Sequence, residues 1–263
     1  MKITKSIFGK EGNDIDKFNE LDLDERSIVF YSESSVILYP YVEEIIRELQ
    51  NRDQKICYLT SSKHDPILKN ENKNIKVFYI GDSEIEKMKF FLRLKAKVLI
   101  MTMPDLGSYH IKRSKVFPVH YVYVFHGMIS THMVFQKSAF DQFDSMFCVG
   151  QHQVQELRAT EQLYNLKQKN LVECGYGLFD KLIRLRSSFP QQNFLSKNNK
   201  KKVLIAPSWG KQNLLESMGI ELIKILLDAG YHVTVRPHPM TIKKSSKIIK
   251  QIKEKFEKNP DFL

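Results

Sequence analysis

Tyr121-Val122-Tyr123-Val124-Phe125-His126-Gly127 is the stretch on which the fold turns. Its first five residues are β-branched or aromatic with no polar break. That pattern suits a strand buried on both faces, as in a parallel sheet covered by helices. Runs of the same kind recur on either side of it, at 27–31, 55–60, 76–80, 97–101, 145–149, 171–174, 202–206 and 232–235. Between many of them lie segments of helical period, at 41–50, 83–94, 153–164, 214–229 and 243–258. Strands alternating with helices predict an α/β protein built on parallel sheets.

The chain has 263 residues, enough for one large core or two smaller ones. Hydrophobic residues make up 42% and charged residues 27%, which argues against wholesale disorder. The opening MKITKSIFGKEGNDID lacks the apolar core of a signal peptide. No apolar stretch approaches the ~18 residues needed to span a bilayer. Cys57, Cys148 and Cys174 are widely spaced, each in an apolar strand-like run. They are expected to be reduced core thiols, not a disulfide frame or a zinc site. No metal site and no cofactor are expected, and any need for a divalent metal stays open.

The polar stretch SSFPQQNFLSKNNKKK separates two α/β patterns. It predicts an N-terminal Rossmann-like lobe over 1–187, a linker over 188–201 and a second lobe over 202–263. The second lobe shows only two strand signals and two helix signals, so it is expected to be a truncated doubly wound lobe. The formal net charge of +11 is uneven, with fourteen Lys and Arg against six Asp and Glu over 196–263. A basic segment of that kind meets nucleic acid, an anionic membrane or a phosphorylated substrate, or forms a solvated face.

In open parallel sheets, ligands bind beyond the carboxyl ends of the strands. His126-Gly127 follows the Tyr121–Phe125 strand directly, with Ser130, Thr131 and His132 close behind. A histidine there serves as a general base near neutral pH, or is a loop histidine satisfied by a neighbouring carbonyl. Arg236-Pro237-His238-Pro239 leaves the strand at 232–235, and its prolines stiffen a turn that presents a guanidinium and an imidazole together. Those groups suit phosphate oxygens, or Arg236 forms a surface ion pair. Ser208, Trp209 and Lys211, after the strand at 202–206, suit a nucleotide rim, with Trp209 equally able to be a packing aromatic. Gly150 and Gly175-Tyr176-Gly177, followed by Asp180, read as strand-to-helix turns. Met101, Met103 and Phe90-Phe91 read as packing residues. G-x-G-x-x-G, the P-loop, G-x-S-x-G and H-E-x-x-H are absent from the sequence.

The His-Gly strand end, Gly-Tyr-Gly-Leu-Phe-Asp at 175–180, Ala-Pro-Ser-Trp at 206–209 and Arg-Pro-His-Pro at 236–239 come in a particular order. Over residues 27–240 that order resembles the CDP-glycerol glycerophosphotransferase family of teichoic-acid and related envelope polymer synthesis. The resemblance implies a GT-B fold of two Rossmann-like lobes and transfer of glycerol phosphate from CDP-glycerol to an acceptor hydroxyl. Carried onto matching positions, it implies His126 as general base and Arg236 and His238 on the donor pyrophosphate. Ser208, Trp209 and Lys211 then fall on the donor side, and Gly127, Ser130, Thr131, His132 and Asp180 on the acceptor side. His126 is expected to face Arg236 and His238 across a gap between the lobes. The teichoic-acid enzymes continue their His-Gly with Thr-Pro-Leu-Lys, whereas Met128-Ile129-Ser130-Thr131 follows here, which leaves the acceptor open between a glycan and a lipid-linked chain. The family's second lobe also runs on past Arg-Pro-His-Pro to a serine-rich acidic stretch, so this chain is expected to bind donor weakly and to be a poor or inactive transferase.

A GT-B glycosyltransferase or epimerase using a nucleotide-sugar is the second enzyme reading. A nucleic-acid module is the third, and the basic tail lacks the aromatic interleaving it requires. The protein is expected in the cytoplasm, peripheral on the inner membrane face, with its basic segment against anionic lipid.

Overall fold

The computed structural model describes residues 13–33, 38–70, 74–188 and 200–263. All nine strands expected from sequence are present among them. The chain divides into two compact units, Met1–Ser187 and Ser188–Leu263. Most of the expected linker, and half of the Lys197–Lys202 run, lies outside the described residues.

The first unit holds strands β1 (Ile28–Ser32), β2 (Ile56–Thr60), β3 (Ile75–Tyr79), β4 (Val98–Met101), β5 (His120–Val124), β6 (Ser145–Cys148) and β7 (Asn170–Glu173). They form one parallel sheet in the order β3-β2-β1-β4-β5-β6-β7. Its helices are α1 (Ile15–Glu20), α2 (Tyr39–Asn51), α3 (Glu84–Leu92), α4 (Thr131–Val134), α5 (Gln151–Leu163) and α6 (Gly177–Ser188). The strand order reverses between β1 and β4, as in a doubly wound sheet.

β5 shows why the Tyr121–Phe125 run reads without a polar break. Tyr121, Tyr123 and Phe125 point into one core with Tyr31, Leu99 and Met101, and Val122 and Val124 point into another with Phe30, Tyr58 and Ile100. Both faces are buried because helices cover both. On the second face Val42 and Ile46 of α2 close the layer, while Phe90 and Phe91 of α3 pack in the first. Each such side chain contributes about 1.5–3 kcal/mol on burial, so the central strands anchor whatever follows their carboxyl ends.

α3 starts where Ser83 accepts from the Glu86 amide, with Glu84 and Glu86 in the first turn complementing the helix dipole. Cys57 and Cys148 are buried, but Cys174 stands one residue past β7 and is exposed, a correction to its expected core position. The Cys174 amide still donates to the Cys148 carbonyl, but β7 is the edge strand, so no further strand covers it on its outer side.

Gly175 turns β7 toward α6 at φ +75°, with open space where a side chain would begin. Gly175→Ala therefore meets no clash but forces an L residue into the left-handed region, at about 1–2 kcal/mol. The expected result is a thermal midpoint lower by about 2–8 °C. Gly127→Ala is the control, because its backbone is not left-handed and an added methyl meets only Ile129 at 3.6 Å. An equal loss in both variants would contradict the strain at Gly175.

The second unit has β8 (Lys202–Ile205) and β9 (His232–Val235) in parallel, with α7 (Leu214–Asp228), α8 (Pro239–Lys244) and α9 (Ser246–Phe256). Ile205, Leu215, Ile223, Val233, Ile252 and Phe256 make its core. The main chain at 261–263 lies along β9, with the Val233 amide donating to Asp261 and the Leu263 amide to Val233. The single helix expected over 243–258 is two helices. His238 caps α8 one residue before Pro239, and Ser245 leaves the helical region at φ −128°.

Candidate functional site

β5 delivers His126 to the carboxyl edge of the first sheet. The ring is half-buried, and its Nδ1 is buried without a hydrogen-bond partner among the described residues. Burial holds the imidazole below its ordinary value of 6.5, because removing water penalises the charged ring. The Tyr41 ring tilts against it at 5.7 Å between centroids, and Tyr41 stacks on Tyr176 at 6.0 Å and 24°. The Tyr176 hydroxyl donates to the His126 carbonyl at 3.0 Å. Burial and the neighbouring Tyr41 push the Tyr176 phenol up to about 12, so it stays a donor at neutral pH.

The loop after His126 is held from below by α5. Gln153 is fully buried, and its amide donates to the carbonyls of Gly127 at 3.2 Å and Ile129 at 3.1 Å. Its own oxygen accepts from the Val149 amide at 2.9 Å, which ties the loop to the end of β6. Glu156, one turn along α5, takes two bonds from Thr131, through the amide at 2.5 Å and the hydroxyl at 2.7 Å. Burial works against the charge on Glu156, yet the bonds from Thr131 and Ser130 and the nearby His132 keep it below the ordinary carboxylate range.

Three residues expected on the acceptor side are thus engaged in that brace. Ser130 caps α4 by accepting from the Met133 amide, and His132 Nδ1 lies 3.0 Å from Ser130 Oγ and 3.4 Å from Glu156. Thr131 is buried. Gly127 leaves the backbone open beside His126. Asp180 is exposed in the first turn of α6, and no hydrogen bond or ion pair joins it to His126 among the described residues.

At the sheet's switch point, Glu33 follows β1 and accepts from Lys87 at 2.9 Å. His110 Nε2 sits 2.5 Å from the same carboxylate oxygen, at ion-pair distance but off the hydrogen-bond direction. His110 thus also keeps a buried nitrogen without a hydrogen bond, but a carboxylate stands beside it, whereas the His126 ring has no charged partner among the described residues.

The second unit arranges its groups in the same way. The Arg236 amide donates to the Ile205 carbonyl at 2.9 Å, which fixes Arg236 beside the end of β8. Its guanidinium is exposed and has no partner among the described residues. His238 Nδ1 accepts from the Met240 amide at 3.0 Å, so the neutral ring carries its proton on Nε2, free to donate outward. Trp209 stacks on His238 at 6.3 Å and 30°, with the Lys244 ammonium 4.8 Å from the indole centroid. Ser208 and Lys211 are exposed on the same loop. Glu216 of α7 ties the two loops together, accepting from the Gly210 amide at 3.3 Å and the Thr241 hydroxyl at 3.0 Å.

Within its unit, then, each set of expected strand-end groups is held by residues that sequence reasoning did not single out: Tyr41, Gln153 and Glu156 in the first, Glu216 and Lys244 in the second. Gln153 and Glu156 share one helix face at i and i+3, a signal that marks a face but not the loop it supports. Among the described residues, no group of three His, Cys, Asp or Glu side chains could hold a metal ion. No helix among them is long and apolar enough to cross a membrane.

The family model of CDP-glycerol:poly(glycerophosphate) glycerophosphotransferases matches residues 17–259. No curated protein matches the sequence. Among solved structures, the UDP-GlcNAc 2-epimerase of Methanocaldococcus jannaschii is similar at 13% identity, with TM-score 0.51, over 89% of this chain and 71% of its own. The UDP-N-acetylglucosamine 2-epimerase of Rickettsia bellii is similar at 14% identity, with TM-score 0.57, over 90% and 68%. At those identities the likeness is one of fold. The wall teichoic acid polymerase TagF aligns at 12% identity, with TM-score 0.47, over 88% of this chain and 61% of its own.

Proposed function

The chain belongs to the CDP-glycerol:poly(glycerophosphate) glycerophosphotransferase family, and from that premise we propose which of its residues perform the transfer and where. The donor is CDP-glycerol, and the acceptor is a hydroxyl of a cell-envelope or capsular polymer. His126 takes the acceptor proton as its oxygen attacks the phosphorus that carries glycerol. The bond from that phosphorus to the bridging oxygen breaks, and CMP leaves with the electron pair. Arg236 and the Nε2–H of His238 bind the pyrophosphate and offset the charge gathering on CMP. Ser208, Trp209 and Lys211 border the donor, while Gly127 leaves room for the acceptor and Asp180 borders it. Ser130, Thr131 and His132 serve the same side by holding the loop.

One observation carries this reading. A general base must be neutral at working pH and must not be tied up by the protein, and His126 combines depressed basicity with a half-buried ring whose side chain makes no hydrogen bond or ion pair among the described residues. CMP release from CDP-glycerol, followed chromatographically with enzyme in excess over donor, tests it. Parallel incubations with CDP-ribitol and UDP-sugars complete the test. Turnover of a UDP-sugar with none of CDP-glycerol would replace this reading with that of a nucleotide-sugar enzyme.

The protein works on the cytoplasmic face of the membrane, held there by its basic second unit. In support, α9 buries Ile252 and Phe256 and leaves Lys247, Lys250, Lys253 and Lys255 exposed. Each lysine near an anionic surface adds about 1 kcal/mol, an attraction that salt screens. The protein is expected to pellet with vesicles rich in anionic lipid at low salt and to be released at high salt. Binding indifferent to salt would contradict this attachment.

A further inference from the structure

The groups around His126 also bear on what the acceptor is. Tyr41 and Tyr176 are partly exposed, and Phe179, edge-on to Tyr176 at 5.9 Å, is 46% exposed. Together with the His126 ring they form a run of aromatic surface beginning at the proposed base. It is held in place by the Tyr176 hydroxyl on the His126 carbonyl and by α6 resting on α2.

The charges beside that surface are already matched. Lys181 bonds Glu43 at 2.6 Å. Arg47 lies 3.0 Å from Glu44, and Arg184 bonds the same carboxylate. His132 lies against Glu156. Among the described residues of α6, Asp180 and Arg186 are exposed and in no ion pair; the anion Asp180 adjoins Phe179, and Arg186 lies about two turns further along the helix. A chain of glycerol phosphate units would need arginine or lysine to receive its phosphates, and among the described residues Lys181, Arg47, Arg184 and His132 are each set against a carboxylate. An uncharged ring with an apolar C–H face and hydroxyls at its edge meets what is present: aromatic faces to pack against, and a base at one end.

Accordingly, we infer that the acceptor presents a neutral hexose ring, which packs on Tyr41, Tyr176 and Phe179 and offers one of its hydroxyls to His126. This rests on the transferase reading above and adds the acceptor class to it. The site is selective for a sugar-terminated acceptor over a glycerol-phosphate-terminated one.

Saturation-transfer NMR on the full chain, without donor, tests the surface apart from turnover. The probes are methyl β-D-glucopyranoside and sn-glycerol 3-phosphate, each added separately. The ring C–H protons of the glucoside are expected to receive saturation and glycerol 3-phosphate to receive little. The glucoside signal should fall about five- to tenfold in Tyr41→Leu and in Phe179→Leu, as aromatic faces are lost. Phe179 is exposed on a helix surface, so its variant should keep the wild-type thermal transition even if Tyr41→Leu folds poorly. Stronger saturation of glycerol 3-phosphate, saturation of neither probe, or a glucoside signal that survives Phe179→Leu in the folded protein would each overturn the inference. None of these outcomes touches the transferase reading, which stands or falls on CMP release.

Discussion

His126→Ala is expected to lower the single-turnover rate of CMP release by about 10²–10⁴-fold, the usual contribution of a positioned base. Enzyme in excess over donor confines the measurement to a single turnover. The loss should be chemical, because the strand before His126 is held by Tyr121, Tyr123 and Phe125 on one face and Val122 and Val124 on the other. Truncating a half-buried ring leaves those contacts intact. The carbonyl that receives the Tyr176 hydroxyl belongs to the main chain and also survives.

The pH dependence has a definite sign. Burial lowers the folded imidazole below 6.5, so the reactive neutral form persists to lower pH than for a free histidine. The acid limb of the rate profile should therefore have its midpoint below 6.5, and it should vanish in His126→Ala. The same group makes folding pH-dependent. With the folded value below the unfolded one, its contribution to stability is complete above about 6.5. It declines as pH falls from there toward the folded value, because the unfolded chain takes up the proton first. A variant that kept wild-type rate and acid limb would remove His126 from the chemistry.

Arg236→Ala is expected to raise the CDP-glycerol concentration needed for half-maximal CMP release by about 10–150-fold, the worth of one or two hydrogen bonds to a charged group. The guanidinium is exposed and without partners among the described residues, so its loss should leave the core of Ile205, Leu215 and Val233 undisturbed. The Arg236 amide would still donate to Ile205 and keep the turn in place. Arg236→Lys should fall between wild type and alanine, since it keeps the charge but loses the planar fork. The effect belongs on donor dependence, whereas that of His126 belongs on rate. Unchanged donor dependence in both variants at 236 would free Arg236 from the role given to it.

Local pattern alone carried much of this protein. A strand buried on both faces must be apolar at consecutive positions, so Tyr121–Phe125 announced a covered parallel sheet before any neighbour was known. Residues just past such strands stand at the carboxyl edge whatever the strand order, which is why His126, Arg236 and His238 were legible as residues of that edge. Three-dimensional structure decided how they are held. The bonds from Gln153 to Gly127, from Thr131 to Glu156 and from Thr241 to Glu216 each join residues about 25 apart, and Lys181 reaches Glu43 across 138 positions. The aromatic run of Tyr41, His126 and Tyr176 likewise joins three distant segments. Such contacts depend on which strands become neighbours and which face each helix covers. Periodicity along a chain records neither, because it reports only the alternation of inside and outside within one element.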